Sequence, residues 1–160
     1  MPKLTVNEAG SQTFTDSFTV DFTDFSVDNA GTLADSATKS FDYVIPAGAY
    51  IQKVAYKLNT AFDDSGAGSQ LQIEVGDDDD PNGYIEAKEI HVDATEVIYA
   101  VQDGAYFNDG TTDNVVNGKL YSAAGKEFKM LFTPDVGGTA YSLNELTQGN
   151  ITFFFEMARL

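Results

Sequence analysis

With 42% hydrophobic residues, among them 12 Phe and 8 Tyr, a chain of 160 residues can enclose one aromatic core and is too apolar to be a disordered acidic tail. It has no cysteine, which excludes a disulfide framework, a thiolate metal site and a cysteine nucleophile. The net charge of −16, from 25 acidic residues against 9 Lys and Arg, excludes nucleic acid as an expected partner, because such a surface repels phosphate.

Residues 1–12 are small and polar and read as an N-terminal arm, ordered only where something pairs with it. Residues 13–160 read as a single domain. The N-terminus lacks an apolar stretch of signal-peptide type, so none is expected. The longest purely apolar runs, such as residues 97–101 and 153–155, are too short to span a membrane.

Phe14, Phe18, Val20 and Phe22 share one parity, with Thr15, Thr19, Asp21 and Thr23 on the other. That is the period of a strand. The phase then slips to Phe25 and Val27, so a bulge or bend is expected near residues 23–24. After a loop over residues 28–38, Phe41, Tyr43 and Ile45 alternate, and residues 46–49 make a turn. Val54, Tyr56 and Leu58 alternate next, with Lys53 and Lys57 opposite. Leu71, Ile73 and Val75 give another strand, which runs into an acidic loop. Helix formers over residues 85–91 suggest a short helical turn.

A strand with Val97, Tyr99 and Val101 follows, then a long loop from residue 104 to 118 carrying Tyr106 and Phe107. Leu120 and Tyr121 precede a turn, Phe128, Met130 and Phe132 alternate, and the last strand sets Ile151, Phe153, Phe155 and Met157 on one face. The expected fold is all-β: an antiparallel β-sandwich, jelly-roll-like, with about eight strands and at most one short helix. Leu131 and Phe154 fall on the outer parity of their strands. They require a second covering layer or an oligomer interface.

The one sharp motif covers residues 78–89. Counted from Asp78, oxygen ligands fall at positions 1 (Asp78), 3 (Asp80), 5 (Asn82), 9 (Glu86) and 12 (Glu89), with Gly83 at 6, the Tyr84 carbonyl at 7 and Ile85 at 8. This is the ligand spacing of a helix-flanked calcium loop. The flanks do not suit that motif, because a strand enters the loop and residues 92–95 are turn-like. An acidic turn shaped by Pro81, Asn82 and Gly83 is the favoured reading. Calcium held by Asp78, Asp80, Asn82 and Glu89 is the alternative, and no other cofactor is expected.

No catalytic constellation stands out. His91 is the only histidine, and no nucleophile-elbow sequence accompanies it. No carboxylate pair rises above the acidic background, and Gly66-Ala67-Gly68 lacks the lysine of a phosphate loop. An enzyme is therefore not expected. Tyr50, Tyr106, Phe107 and Tyr141 lie in or beside loops, where they either stack on sugars or pack beneath their own loops or at a subunit contact.

Several segments carry a resemblance: Ile-Pro-Ala-Gly at 45–48, Asn-Thr-Ala-Phe at 59–62, Val-Gly-Asp at 75–77, Asp-Pro-Asn-Gly-Tyr-Ile at 80–85, Tyr-Ser-Ala-Ala-Gly at 121–125 and Gly-Asn-Ile-Thr-Phe-Phe-Phe at 149–155. Over residues 40–160 the chain resembles small β-sandwich virion proteins of tailed bacteriophages, the head decoration (cement) proteins and related tail-associated domains. The resemblance implies a non-enzymatic, jelly-roll-like structural subunit, often a homotrimer, on the capsid exterior, with the major capsid protein and itself as partners. It transfers no site residues. The alternative is a phage tail, receptor-binding or carbohydrate-binding β-sandwich module, with or without calcium.

Overall fold

The computed structural model describes residues 3–6, 12–26, 37–66, 70–92, 103–107, 118–121, 126–134 and 141–159. These residues form nine strands: β1 (Lys3–Val6), β2 (Gln12–Asp21), β3 (Lys39–Ile45), β4 (Ala49–Asp63), β5 (Leu71–Asp77), β6 (Ile85–Glu89), β7 (Lys119–Tyr121), β8 (Lys126–Pro134) and β9 (Gln148–Arg159). Sheet I has the order β1-β2-β9-β4-β7 and sheet II the order β3-β8-β5-β6. Every strand pairing in both sheets is antiparallel. From β2 to β9, each strand crosses to the other sheet from its predecessor, except at the β5–β6 hairpin. The fold is an antiparallel β-sandwich, as the alternation of apolar residues predicts.

The core lies between the sheets and is largely aromatic. From β9, Ile151, Phe153, Phe155 and Met157 point inward, and from β8, Phe128, Met130 and Phe132 meet them. The rings pack edge to face: Phe128 on Phe155 at 4.2 Å between centroids, Phe132 on Phe153 at 6.2 Å. This geometry sets the positive edge of one ring against the negative face of the next. Each fully buried ring of this kind contributes about 1.5–3 kcal/mol of transfer free energy.

Of the bulge or bend expected after β2, the structure forms the bend. Residues Phe22–Phe25 form a 3₁₀ turn with Asp21 as its cap. The Asp21 carboxylate accepts the Thr23 N–H at 3.1 Å, and the Asp24 carboxylate accepts the Asp21 N–H at 2.8 Å. Two otherwise unpaired N–H groups are thereby satisfied. The turn drops Phe25 into the core against Phe132, Phe41 and Phe62 at 5.1, 5.3 and 6.2 Å.

The helical turn expected over residues 85–91 is instead the edge strand β6, paired with β5 through Val75↔Ile85, Ile73↔Lys88 and Gln72↔Glu89. The open edge of sheet II offers backbone partners and a buried place for Ile85, and these outweigh a weak helix propensity. Helical geometry among the described residues is confined to the turns Phe22–Phe25 and Leu143–Glu145. Residues 3–6 of the arm do find a partner, pairing along β2 at the edge of sheet I. The strand expected around Val97, Tyr99 and Val101 lies outside the described residues. No helix among the described residues is long and apolar enough to cross a membrane.

Candidate functional site

Strand parity carries a carboxylate into the sandwich. In β5, Leu71, Ile73 and Val75 face the core, and the same parity turns Asp77 inward, where it is 0% exposed. The chain folds back at once. Asp77 N–H donates to the Asp80 carbonyl at 2.9 Å, and Asp77 Oδ1 accepts the N–H groups of Asp79 and Asp80 at 2.9 and 3.0 Å. Gly76 makes this return passable, since a Cβ there would lie 2.0 Å from the Asp80 carbonyl oxygen.

Partners for the charge come from the facing sheet and from residues 103–107. Lys119 opens β7 opposite Ile51 of β4, and its Nζ lies 2.6 Å from Asp77 Oδ2. The Tyr106 hydroxyl donates to Asp77 Oδ1 at 2.7 Å, and the Tyr121 hydroxyl donates to Oδ2. Lys119 also donates to the Tyr106 hydroxyl at 2.9 Å and sits 4.4 Å from the centroid of that ring. The Tyr84 and Tyr121 hydroxyls share a hydrogen bond of 2.7 Å. An unpaired charge in this position would be strongly destabilising; here Lys119, Tyr106, Tyr121 and two backbone N–H groups donate to the carboxylate.

The electrostatics follow from that arrangement. Burial by itself would raise the Asp77 carboxyl, but hydrogen bonds from Lys119, Tyr121, Tyr106 and the Asp80 N–H outweigh it and bring the pKa down from 3.8 to about 2. Burial opposes charge on Lys119 as well, yet Asp77, Tyr106 and Asp79 hold it protonated well above the usual lysine range. Burial, together with the neighbouring Asp77, lifts Tyr106 to about 12. Tyr121 and Tyr84 are raised further, chiefly by burial. A carboxylate this weakly basic is a poor proton acceptor, and a lysine held protonated is no nucleophile. The cluster therefore acts as a fastening between sheets.

Two more lysines extend it over the acidic loop. Asp79 receives Lys119 at 3.0 Å and Lys126 at 3.2 Å, and the two lysines lower its carboxyl. Lys129 lies 3.1 Å from Asp78, 3.0 Å from Glu127 and 3.6 Å from Asp42. Lysines scattered along the sequence thus converge on the loop and neutralise much of its charge.

The sequence-predicted ligands are not brought together as a twelve-residue calcium loop. The Asp78 side chain reaches Lys129, and Asp80 Oδ1 accepts the Asn82 N–H at 3.4 Å. Glu86 is exposed on β6. Glu89 sits at the far end of the β5–β6 ladder, opposite Gln72, where its Oε1 accepts the N–H groups of Leu71 and His91 at 2.8 and 3.0 Å. A strand rises about 3.3 Å per residue, so the extended backbone from Ile85 to Glu89 carries the twelfth position away from the loop. Of the loop aromatics, Tyr106 belongs to the Asp77 cluster. Phe107 is buried against Tyr84 at 5.6 Å, and Tyr141 is buried with its hydroxyl donating to the Gln70 carbonyl at 3.1 Å. Tyr50 is half-buried beside Leu120 and Ala158.

The outward surface carries the remaining features. On the outer face of sheet I, Phe154 lies between Ser17 and Ala55, 38% exposed, and Leu120 pairs with Tyr50, 51% exposed. On the outer face of sheet II, Val44 is 62% exposed, whereas Leu131 is half-buried between Ser40 and Glu74.

No family model matches the chain, and no curated protein matches it. Among solved structures, the chain is similar to a chain of the "Cyanophage Pam1 capsid asymmetric unit", with a TM-score of 0.56 at 12% sequence identity. The likeness covers 92% of this chain and 85% of the other. At that identity it is a likeness of fold, and it extends over nearly the whole of both chains.

Proposed function

We propose that the chain is a non-enzymatic structural protein of a tailed-bacteriophage virion, a decoration (cement) subunit that reinforces the head from outside. The observation that carries this reading is the near full-length likeness of fold to a chain from a phage capsid assembly. The strand order supports it. With β1-β2-β9-β4-β7 facing β3-β8-β5-β6, the alternation of strands between the sheets is what a jelly roll, an architecture used by capsid domains, would require. The main buried charge cluster fastens the sandwich together, and its groups are held in protonation states unsuited to proton transfer or nucleophilic attack.

Function on this reading resides in surfaces. The partners are the major capsid protein and further copies of the chain, as a homotrimer. Each contact is weak, and the symmetry of the lattice multiplies it. Phe154 and Leu120 on one face and Val44 on the other supply apolar contact area, while the acidic remainder restricts binding to partners with matching basic groups.

The test is co-sedimentation of the purified protein with heads of its own virus assembled without it. Saturable binding with a fixed number of copies per head supports the reading. Absence of binding to heads, together with saturable binding to tails or to glycans, would replace it with a receptor-binding module.

A further inference from the structure

A second polar cluster lies away from the acidic loop, at the opposite end of β5. Strand β4 ends at Asp63, and Asp64 follows it. His91 comes two residues after β6. A parallel bridge between Phe62 and His91 holds the two segments side by side, with Phe62 N–H donating to the Ile90 carbonyl at 3.1 Å and Val92 N–H to the Phe62 carbonyl at 2.9 Å. The His91 side chain is 1% exposed, and its Nε2 lies 3.3 Å from Asp64 Oδ1 and 3.9 Å from Asp63 Oδ1. The Asp64 side chain is itself 7% exposed. One ligand atom from each of the three residues lies within 4.8 Å of the other two.

We infer that Asp63, Asp64 and His91 form a binding site for a divalent transition cation of zinc's kind, clipping the end of β4 in sheet I to the end of β6 in sheet II. Bonds of about 2.0–2.2 Å to a tetrahedral ion place ligand atoms roughly 3.3–3.5 Å apart. The Nε2 to Asp64 separation already has that value; Asp63 Oδ1 stands 3.9 Å from Nε2, and with the three ligand atoms spread over up to 4.8 Å the Asp63 carboxylate has to swing in by about an ångström. One imidazole nitrogen with two carboxylate oxygens suits zinc or a similar borderline ion. Calcium takes six to eight oxygens and has little use for the nitrogen. The supports are fixed from behind: Glu89 Oε1 holds the His91 N–H at 3.0 Å, and the N–H groups of Ser65 and Gly66 hold Asp63 Oδ1 and Asp64 Oδ1 at 2.7 and 3.0 Å. Glu89, the twelfth position of the calcium-like motif, thus serves the backbone of a different candidate site.

The chain has one histidine, so an imidazole signal reports on this site alone. Full-length protein without a polyhistidine tag, stripped with chelator, is titrated with zinc chloride and separately with calcium chloride. Expected are one equivalent of zinc bound by calorimetry, a shift of the single imidazole resonance, and a rise in melting temperature of about 5–10 °C at a hundredfold excess over Kd. Calcium should give no comparable rise. Asp63→Asn and Asp64→Asn should weaken zinc binding at least about tenfold, and Asp80→Asn, on the acidic loop, should leave it unchanged. His91→Gln should abolish it; where that variant fails to fold, Asp63→Asn and the imidazole resonance carry the test. Four results would overturn the inference: no zinc bound up to about 1 mM, zinc bound without moving the imidazole, binding indifferent to Asp63→Asn, or an equal response to calcium.

Discussion

Asp77 shows how a single residue can tie two sheets together. Its charge is inside because β5 alternates, and it is tolerated there because Lys119, Tyr106 and Tyr121 all donate to it. Asp77→Asn leaves the Lys119 ammonium without its nearest carboxylate and should cost about 3 kcal/mol in denaturant unfolding. The pH dependence has a definite sign. The folded pKa, about 2, lies below the ordinary 3.8, so the stabilisation is complete above pH 4 and is lost as pH falls toward 2. The difference corresponds to roughly 2 kcal/mol. Melting curves of the native protein should fall through that window, and those of Asp77→Asn should fall less. The alternation of Leu71, Ile73 and Val75 already assigns position 77 to the core face, so this carboxylate was legible in the sequence one residue before the motif that draws the eye. Lys119 was not legible. It lies 42 positions on, and only the Ile51↔Lys119 register across β4 and β7 brings it in.

Among the elements, those with strong alternation were readable: β2, β3, β4, β5, β8 and β9 each carry three or more large apolar residues on one parity. β6 was not, because Ile85 alone marks its inward face and the sheet edge decides its conformation. Glu89 moved with it, from the loop to the end of a strand. β1 was unreadable for a similar reason, since its order comes from pairing with β2. Deleting residues 1–11 exposes the β2 edge and removes no described core residue. The shortened protein should keep its cooperative unfolding transition but lose affinity for heads, measured by co-sedimentation; unchanged head occupancy would remove the arm from the binding surface. On the outer face of sheet I, Phe154→Ser combined with Leu120→Ser changes exposed side chains only. It should leave thermal stability within about 0.5 kcal/mol of the native value and lower self-association in sedimentation velocity. An unaltered oligomer would place the subunit contact elsewhere.

At the scale of the molecule, the sandwich joins an aromatic core to a strongly acidic surface. The core accounts for folding without disulfides. The surface, at −16 overall, suits a partner that presents complementary basic groups. Binding to a lattice by this route should weaken as salt rises, because exposed charges are screened beyond about 10 Å at 0.1 M, and co-sedimentation across a salt series measures it. Fold class was readable from period and turn residues, and the phage virion assignment began as a resemblance over residues 40–160. The likeness to a capsid-assembly chain over 92% of this one is one of fold, and the proposed virion role is what the particle has to test. The most direct test is cryo-electron microscopy of the virions. The account predicts density for this nine-stranded sandwich on the outside of the head, repeated at symmetry-equivalent positions and touching the major capsid protein. Heads without that density, with the protein found only on tails or not in the particle, would contradict it.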